Sequence, residues 1–352
     1  MTFYRNRKAV QLESDQVRLT VLAEGGHIAE LLHKASGVNP LWTPPWPSIE
    51  PSTYTPEQHP EYGTGGDAKL LAGIMGHNLC LDIFGGPSEE EAAAGMTAHG
   101  EASVEPYDVA VEDGVLTARA AFPEAGLRFR RSIWFGSSTV VQIAEEVENL
   151  MAWDRPIGWT QHVTLGDPFV KPGVTEFRAS ATRSKVFESD FAGHRSYMES
   201  GAEFDWPHAP RRGGGTVDMR TFAGPAMSGA YSAHLMDPQR RNAFFLAQSP
   251  DSKVLMGYVW KQADFPWLGI WEENRSRTAP PWNGKTVTRG MEFGVSPMPE
   301  TRRRMIERGN LFGVPGFRWM PAKSAVRVEY RAFITTSDFI PEEPPPEAGA
   351  EA

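Results

Sequence analysis

A chain of 352 residues, 40% of them hydrophobic, can bury a sizeable core and has room for one large domain or two closely joined halves. Its formal net charge of -9, with arginine clustered only in the short runs Arg211-Arg212 and Arg302-Arg303-Arg304, argues against nucleic acid as a partner. No run approaches the ~20 apolar residues that span a bilayer, and the N-terminus lacks the apolar stretch of a secretory signal, so a soluble cytoplasmic protein without a membrane partner is expected.

In chain order, residues 17–22 alternate as a strand and run into the Gly25-Gly26 turn. The Pro-rich stretch 43–63 carries Trp46 and Tyr62 and reads as a stiff loop whose aromatics either pack on a sheet or wall a binding site. Cys80, in the apolar run Leu79-Cys80-Leu81, reads as a buried reduced thiol. Ser88 followed by Glu89-Glu90-Glu91 predicts a short N-capped helix with acidic residues in its first turn. Residues 109–112 and 115–120 flank Asp113-Gly114, the signal of a tight hairpin. Further strands are expected at 127–135, 139–149, 157–165, 243–248, 254–261, 268–272, 286–294 and 325–335. The glycines at 213–215 lack the lysine and spacing of a phosphate loop and read as a turn, while 299–309 predicts a second short helix with a Gly stop. From 339 to 352 the sequence is acidic and Pro-rich, with few groups to bury, and is expected to be a disordered tail.

Chemistry centres on three separated elements: His99 in Thr97-Ala98-His99-Gly100-Glu101, His162 in Trp159-Thr160-Gln161-His162-Val163, and Trp271-Glu272-Glu273. Two imidazoles and a carboxylate suit proton transfer near neutral pH. They can meet only if a large fold gathers distant strands around one cleft. A zinc site is the rival use of such groups, but no short ligand motif of the His-Glu-x-x-His kind occurs, so no metal is expected.

The order of elements resembles the aldose 1-epimerase (galactose mutarotase-like) superfamily over most of residues 17–335. Gly25-Gly26-His27-Ile28-Ala29-Glu30-Leu31 and Pro40-Leu41-Trp42 are similar to its opening unit, and His99-Gly100 to its His-Gly element. The run from Phe129 to Leu150, His162 on the next strand, Trp271-Glu272-Glu273, and Arg289-Gly290-Met291-Glu292-Phe293-Gly294 follow in the family's order. The resemblance implies an all-β fold, a large antiparallel β-sandwich (the mutarotase-like supersandwich) with a few short helices, formed as a single domain by residues 1–338. It further implies a divergent, cofactor-independent epimerase that opens and recloses a cyclic hemiacetal of a small-molecule carbohydrate. His162 would be the acid, His99 a partner orienting the sugar, and Glu272 or Glu273 the base. Glu272 is favoured because it follows an apolar residue, and only one of the two can enter the cleft because adjacent strand residues face opposite sides.

His77-Asn78 stands roughly where the family carries an Asn-Arg substrate contact, a departure that either His77 offsets or a different substrate explains. Trp159 and Trp271 could stack on a sugar, with Trp267 and Trp282 nearby in sequence, and Arg275 and Arg277 border the site in a donor-rich loop. His27, His33, His59, His194, His208 and His234 read as structural or exposed. A carbohydrate-binding protein without turnover is the alternative, because fold alone does not fix activity.

Overall fold

Alternating apolar and polar residues lay the chain out as successive antiparallel strands, and the computed structural model describes residues 1–189 and 196–349. His194 lies outside the described residues. Asp113 and Gly114 take φ of 50° and 76°, the left-handed pair that a two-residue turn needs between Asp108–Glu112 and Val115–Phe122. These two strands end an eight-stranded sheet that runs Glu176–Ala179, Asn242–Ser249, Val254–Lys261, Ala325–Thr336, Val140–Asn149, Leu127–Phe135, Val115–Phe122, Asp108–Glu112.

A twelve-stranded sheet packs against it. Its centre runs, in spatial order, His77–Asp82, Arg155–Gly166, Val287–Gly294, Trp267–Asn274 and Ser228–Met236. Thr2–Tyr4, Arg7–Glu13, Val17–Leu22 and Ile28–His33 extend it on one side, Ala181–Val186 and Glu203–Asp205 on the other, and Arg318–Met320 pairs with the start of Arg155–Gly166 as the twelfth strand. The architecture is the expected antiparallel sandwich. Helix among the described residues is confined to short pieces, including Ala68–Gly73, Glu89–Ala93 and Arg302–Arg308. None is long and apolar enough to cross a membrane.

Between the sheets, Leu79, Val163, Ile270, Met291 and Phe293 from the large sheet pack with Phe129, Val147, Phe245, Met256 and Ile334 from the small one. A second apolar cluster covers the outer face of the large sheet and includes Cys80, which is buried and free, with Leu70, Leu71, Tyr231, Trp271 and Trp282. The central strands are therefore buried on both faces, and their alternation is masked in the sequence.

One polar cluster sits inside the sandwich. Arg131 Nε donates to Glu145 Oε1 at 2.8 Å, and Glu145 also accepts from Tyr330 Oη, Trp159 Nε1 and Gln161 Nε2 at 2.7, 3.0 and 2.6 Å. His77 joins it through Gln161 Oε1 at 2.9 Å and Tyr258 Oη at 3.1 Å. Every oxygen of the buried carboxylate is thus satisfied, as burial of a charge requires.

The acidic C-terminal segment departs from its expectation of disorder. Up to Gly349 it lies on the outer face of the eight-stranded sheet, where Ile340 and Ala348 join Val140, Phe244, Leu255, Val259 and Phe333 in a buried cluster. Glu342 pairs with Arg178 at 3.0 Å, Glu343 pairs with Arg240, and Lys253 pairs with Asp338 at 2.7 Å. The covered apolar face is assembled from several distant strands, so the segment itself carries little sign of it.

Candidate active site

Strand register builds the site. His162 is paired directly with Asn78 on one side and with Glu292 on the other, and Glu292 in turn opposes Gly269. Residues opposed across antiparallel strands share a face, so Asn78, His162 and Glu292 form one row on the outer face of the large sheet. Their chain neighbours His77, Gln161, Met291 and Phe293 point into the sandwich. Gly290 leaves room for the row, because a Cβ there would run into the Glu292 carboxyl.

His99 reaches the row from a loop that crosses the His77–Asp82 strand. Its backbone has φ of 65°, Gly100 follows at 77°, and a Cβ on Gly100 would strike the Leu81 carbonyl. Leu81 N donates to His99 O at 3.2 Å, which pins the loop down. This is the physical content of the His-Gly pair. The His99 and His162 rings lie 4.8 Å apart, centroid to centroid.

The hydrogen bonds fix one tautomer. Ser103 Oγ spends its proton on Leu79 O at 2.7 Å and so accepts from Asn78 Nδ2 at 3.1 Å. The same Asn78 nitrogen stands 3.1 Å from His99 Nδ1, which must therefore accept, leaving the proton of the neutral ring on Nε2. His162 Nδ1 is 2.9 Å from Thr164 Oγ1, and its Nε2 is 3.1 Å from Glu292 Oε1. That last approach is close but misaligned, and Glu292 Oε1 is buried without a hydrogen-bond partner among the described residues.

Burial decides the charges. Desolvation holds His99 down to about 4, assisted by the Arg277 charge, and pushes His162 well below the ordinary imidazole range, assisted by His99. Desolvation raises Glu292 well above the carboxylate range. The His162–Glu292 pair consequently rests as neutral imidazole and carboxylic acid.

These groups open on a cleft of about 510 Å³ lined also by Trp271, Trp282 and Arg277. The Arg277 guanidinium lies 4.6 Å from the Trp282 ring centre and 5.3 Å from that of Trp271. Trp42 and Trp46 back Trp282 at 6.0 and 5.0 Å, and Trp46 Nε1 donates to Leu71 O at 2.9 Å. The aromatic loop thus supports the wall without lining it.

The sequence-derived candidates separate by strand parity. His99, His162, Trp271 and Arg277 line the cleft, and Asn78 holds His99. Glu272 lies on the other face, where Tyr197 Oη donates to it and Arg289 Nη1 stands 3.5 Å away. Its neighbour Trp271 takes the cleft face. Glu273 shares that face, but its carboxylate accepts from Ser276 N, Ser276 Oγ and Arg277 N and stands 3.5 Å from Arg277 Nε, so it shapes the loop and does not line the cleft. His77 and Trp159 belong to the interior polar cluster, which removes both from contact with a ligand in the cleft. Arg275 is exposed just past the end of the Trp267–Asn274 strand, with φ of 62°, outside the cleft.

Glu292 is the acid that sequence reasoning did not assign to the site. Its signal was present in Gly290-Met291-Glu292-Phe293-Gly294: large apolar residues on one face, and a glutamate flanked by glycines on the other.

No family profile and no curated protein sequence matches the chain. Solved structures do. A candidate aldose 1-epimerase from Klebsiella pneumoniae superposes with a TM-score of 0.70 at 13% identity, over 96% of this chain and 82% of that one. A candidate aldose 1-epimerase from Escherichia coli K12 gives 0.61 at 11% identity, over 94% and 99%. A galactose mutarotase-like protein from Clostridium acetobutylicum gives 0.60 at 14% identity, over 96% and 98%. The fold resemblance extends over nearly the whole chain, and the chemistry has to be argued from the cleft.

Proposed function

We propose that this chain is a cofactor-independent epimerase that interconverts the anomers of a small-molecule carbohydrate by opening and reclosing its cyclic hemiacetal. The observation that carries the reading is the buried His162–Glu292 pair, 3.1 Å apart, beside His99 on the floor of a cleft. Ring opening takes a proton from the anomeric hydroxyl and gives one to the ring oxygen; closure on the other face after rotation about C1–C2 reverses both transfers. A neutral imidazole and a carboxylic acid side by side can serve these two oxygens, one accepting a proton and the other donating one.

In the resting charge state the Glu292 carboxylic acid is the donor and the His162 imidazole the acceptor; once the sugar has bridged them, the roles exchange on closure. This moves the carboxyl role from Glu272 to Glu292. His99 Nε2–H supplies a neutral donor to a sugar oxygen, and Arg277, lying against two indoles, supplies the cation for which His77 is wrongly placed. Only protons move, so the side chains of the cleft suffice for the chemistry.

Polarimetry or NMR exchange spectroscopy on a panel of freshly dissolved aldoses tests the reading. Acceleration of anomeric exchange that disappears in Glu292→Gln and His162→Asn supports it. Saturable sugar binding without any rate effect would instead identify a binding protein.

A further inference from the structure

The buried lining of the cleft is mostly apolar. Its polar members are His99, His162, Glu292 and Arg277, together with the Trp271 indole N–H, which is buried without a partner among the described residues, and Ser88, whose hydroxyl already accepts from Glu91 N as a helix cap. Asp67 and Glu89 are exposed at the rim. Tyr231 Oη is already used on Pro297 O at 3.0 Å. Leu70, Leu71 and Ile74 come from the short helix Ala68–Gly73 and its C-cap, at positions that share one helical face. Phe84, Ala98 and Trp282 complete the wall.

An unsubstituted pyranose fits such a wall poorly. It carries hydroxyls around the ring, and each one turned to Leu70, Leu71 or Ile74 would lose its water with no partner in return. The cleft, at about 510 Å³, lies in the size range that encloses drug-sized ligands, and a lone sugar ring underfills it.

We propose that the substrate class is a reducing sugar bearing an apolar substituent, an alkyl, acyl or aryl group, at a ring position away from the anomeric carbon. The sugar ring sits at His99, His162 and Glu292, and the substituent covers the leucine–isoleucine wall. This rests on the epimerase reading and specifies its substrate.

Calorimetric titration of the full chain with D-glucose, D-galactose and their 3-O-hexyl and 6-O-hexyl ethers tests it. At least one ether is expected to bind tenfold or more tightly than its parent. Leu71→Asn, checked for folding by its melting transition, is expected to reduce that ratio below threefold; Ile74→Thr serves the same purpose if Leu71→Asn does not fold. If no ether binds more tightly than its parent, or if the ratio survives in a folded wall variant, the substituent proposal is overturned while parent-sugar turnover keeps the epimerase reading. If no sugar is bound or turned over, both fall.

Discussion

Glu292 and Glu272 sit on neighbouring strands, both buried, yet only Glu292 opens on the cleft. Glu292→Gln keeps the shape of the side chain and removes its titration, so it is expected to lower the rate by ~10²–10⁴-fold, as loss of a general acid–base group does. Glu272→Gln, acting on the far face, is expected to stay within a few-fold of wild type in the same polarimetric assay. Stability should move the other way. A carboxyl whose folded pKa is raised stays protonated in the fold while the unfolded chain releases its proton, so stability is lost as pH rises from the ordinary carboxylate range through the folded value. Glu292→Gln removes that loss, and its melting temperature should exceed that of wild type at pH 7, with the gap closing near pH 4. Equal melting temperatures at both pH values would mean that Glu292 is not held protonated.

Among the elements, the strand Val287–Gly294 shows how a sheet makes space for chemistry. Gly290 and Gly294 flank Glu292 on one face, and Met291 and Phe293 fill the core on the other. In Gly290→Ala the new methyl meets the end of the Glu292 side chain, not backbone. The fold should therefore persist while the carboxyl is displaced from His162. The expected outcome is an activity loss of an order of magnitude or more with an unchanged circular dichroism spectrum; normal activity would show that the carboxyl tolerates displacement. The loop bearing His99 is less forgiving. Gly100→Ala places a Cβ against the Leu81 carbonyl at a left-handed φ, so activity and stability should fall together.

For the whole molecule, the buried imidazoles set the response to acid. Burial lowers His27 and His234 to about 3 and His99 to about 4, and takes His77 and His162 well below the ordinary value. Below the unfolded pKa of about 6.5, the unfolded chain binds protons that the fold refuses, so stability falls as pH drops toward the folded values. Each such histidine contributes about 1.4 kcal/mol per pH unit once the unfolded form is fully protonated. Glu292 opposes them, as do Glu272, Glu101 and Asp264, whose carboxyls burial also raises. Melting temperature should decline steadily between pH 6.5 and 4, and a flat profile would contradict neutral buried histidines. The interior ion pair has its own test. Arg131→Leu strands Glu145 without its cation and should cost about 3–5 kcal/mol in denaturant unfolding.

Local pattern alone determined the all-β class and many of the strands, because a period-two run or an Asp-Gly turn is written in neighbouring residues. It also marked His99 and His162, whose chain settings are distinctive, and Trp271 with Arg277 nearby. Ser228–Met236 escaped notice, since its serines and His234 are buried in a strand covered on both faces and show no alternation. The choice of carboxylate depended on which face each strand residue takes, and a one-residue difference in parity sends Glu272 to Arg289 and Glu292 to His162. His77 and Trp159 face the interior, where Tyr258 and Glu145 from the opposite sheet are their respective partners. Register across sheets and burial from both sides arise only when distant segments meet, so tertiary structure alone decided which acid faces the cleft and in which protonation state it rests.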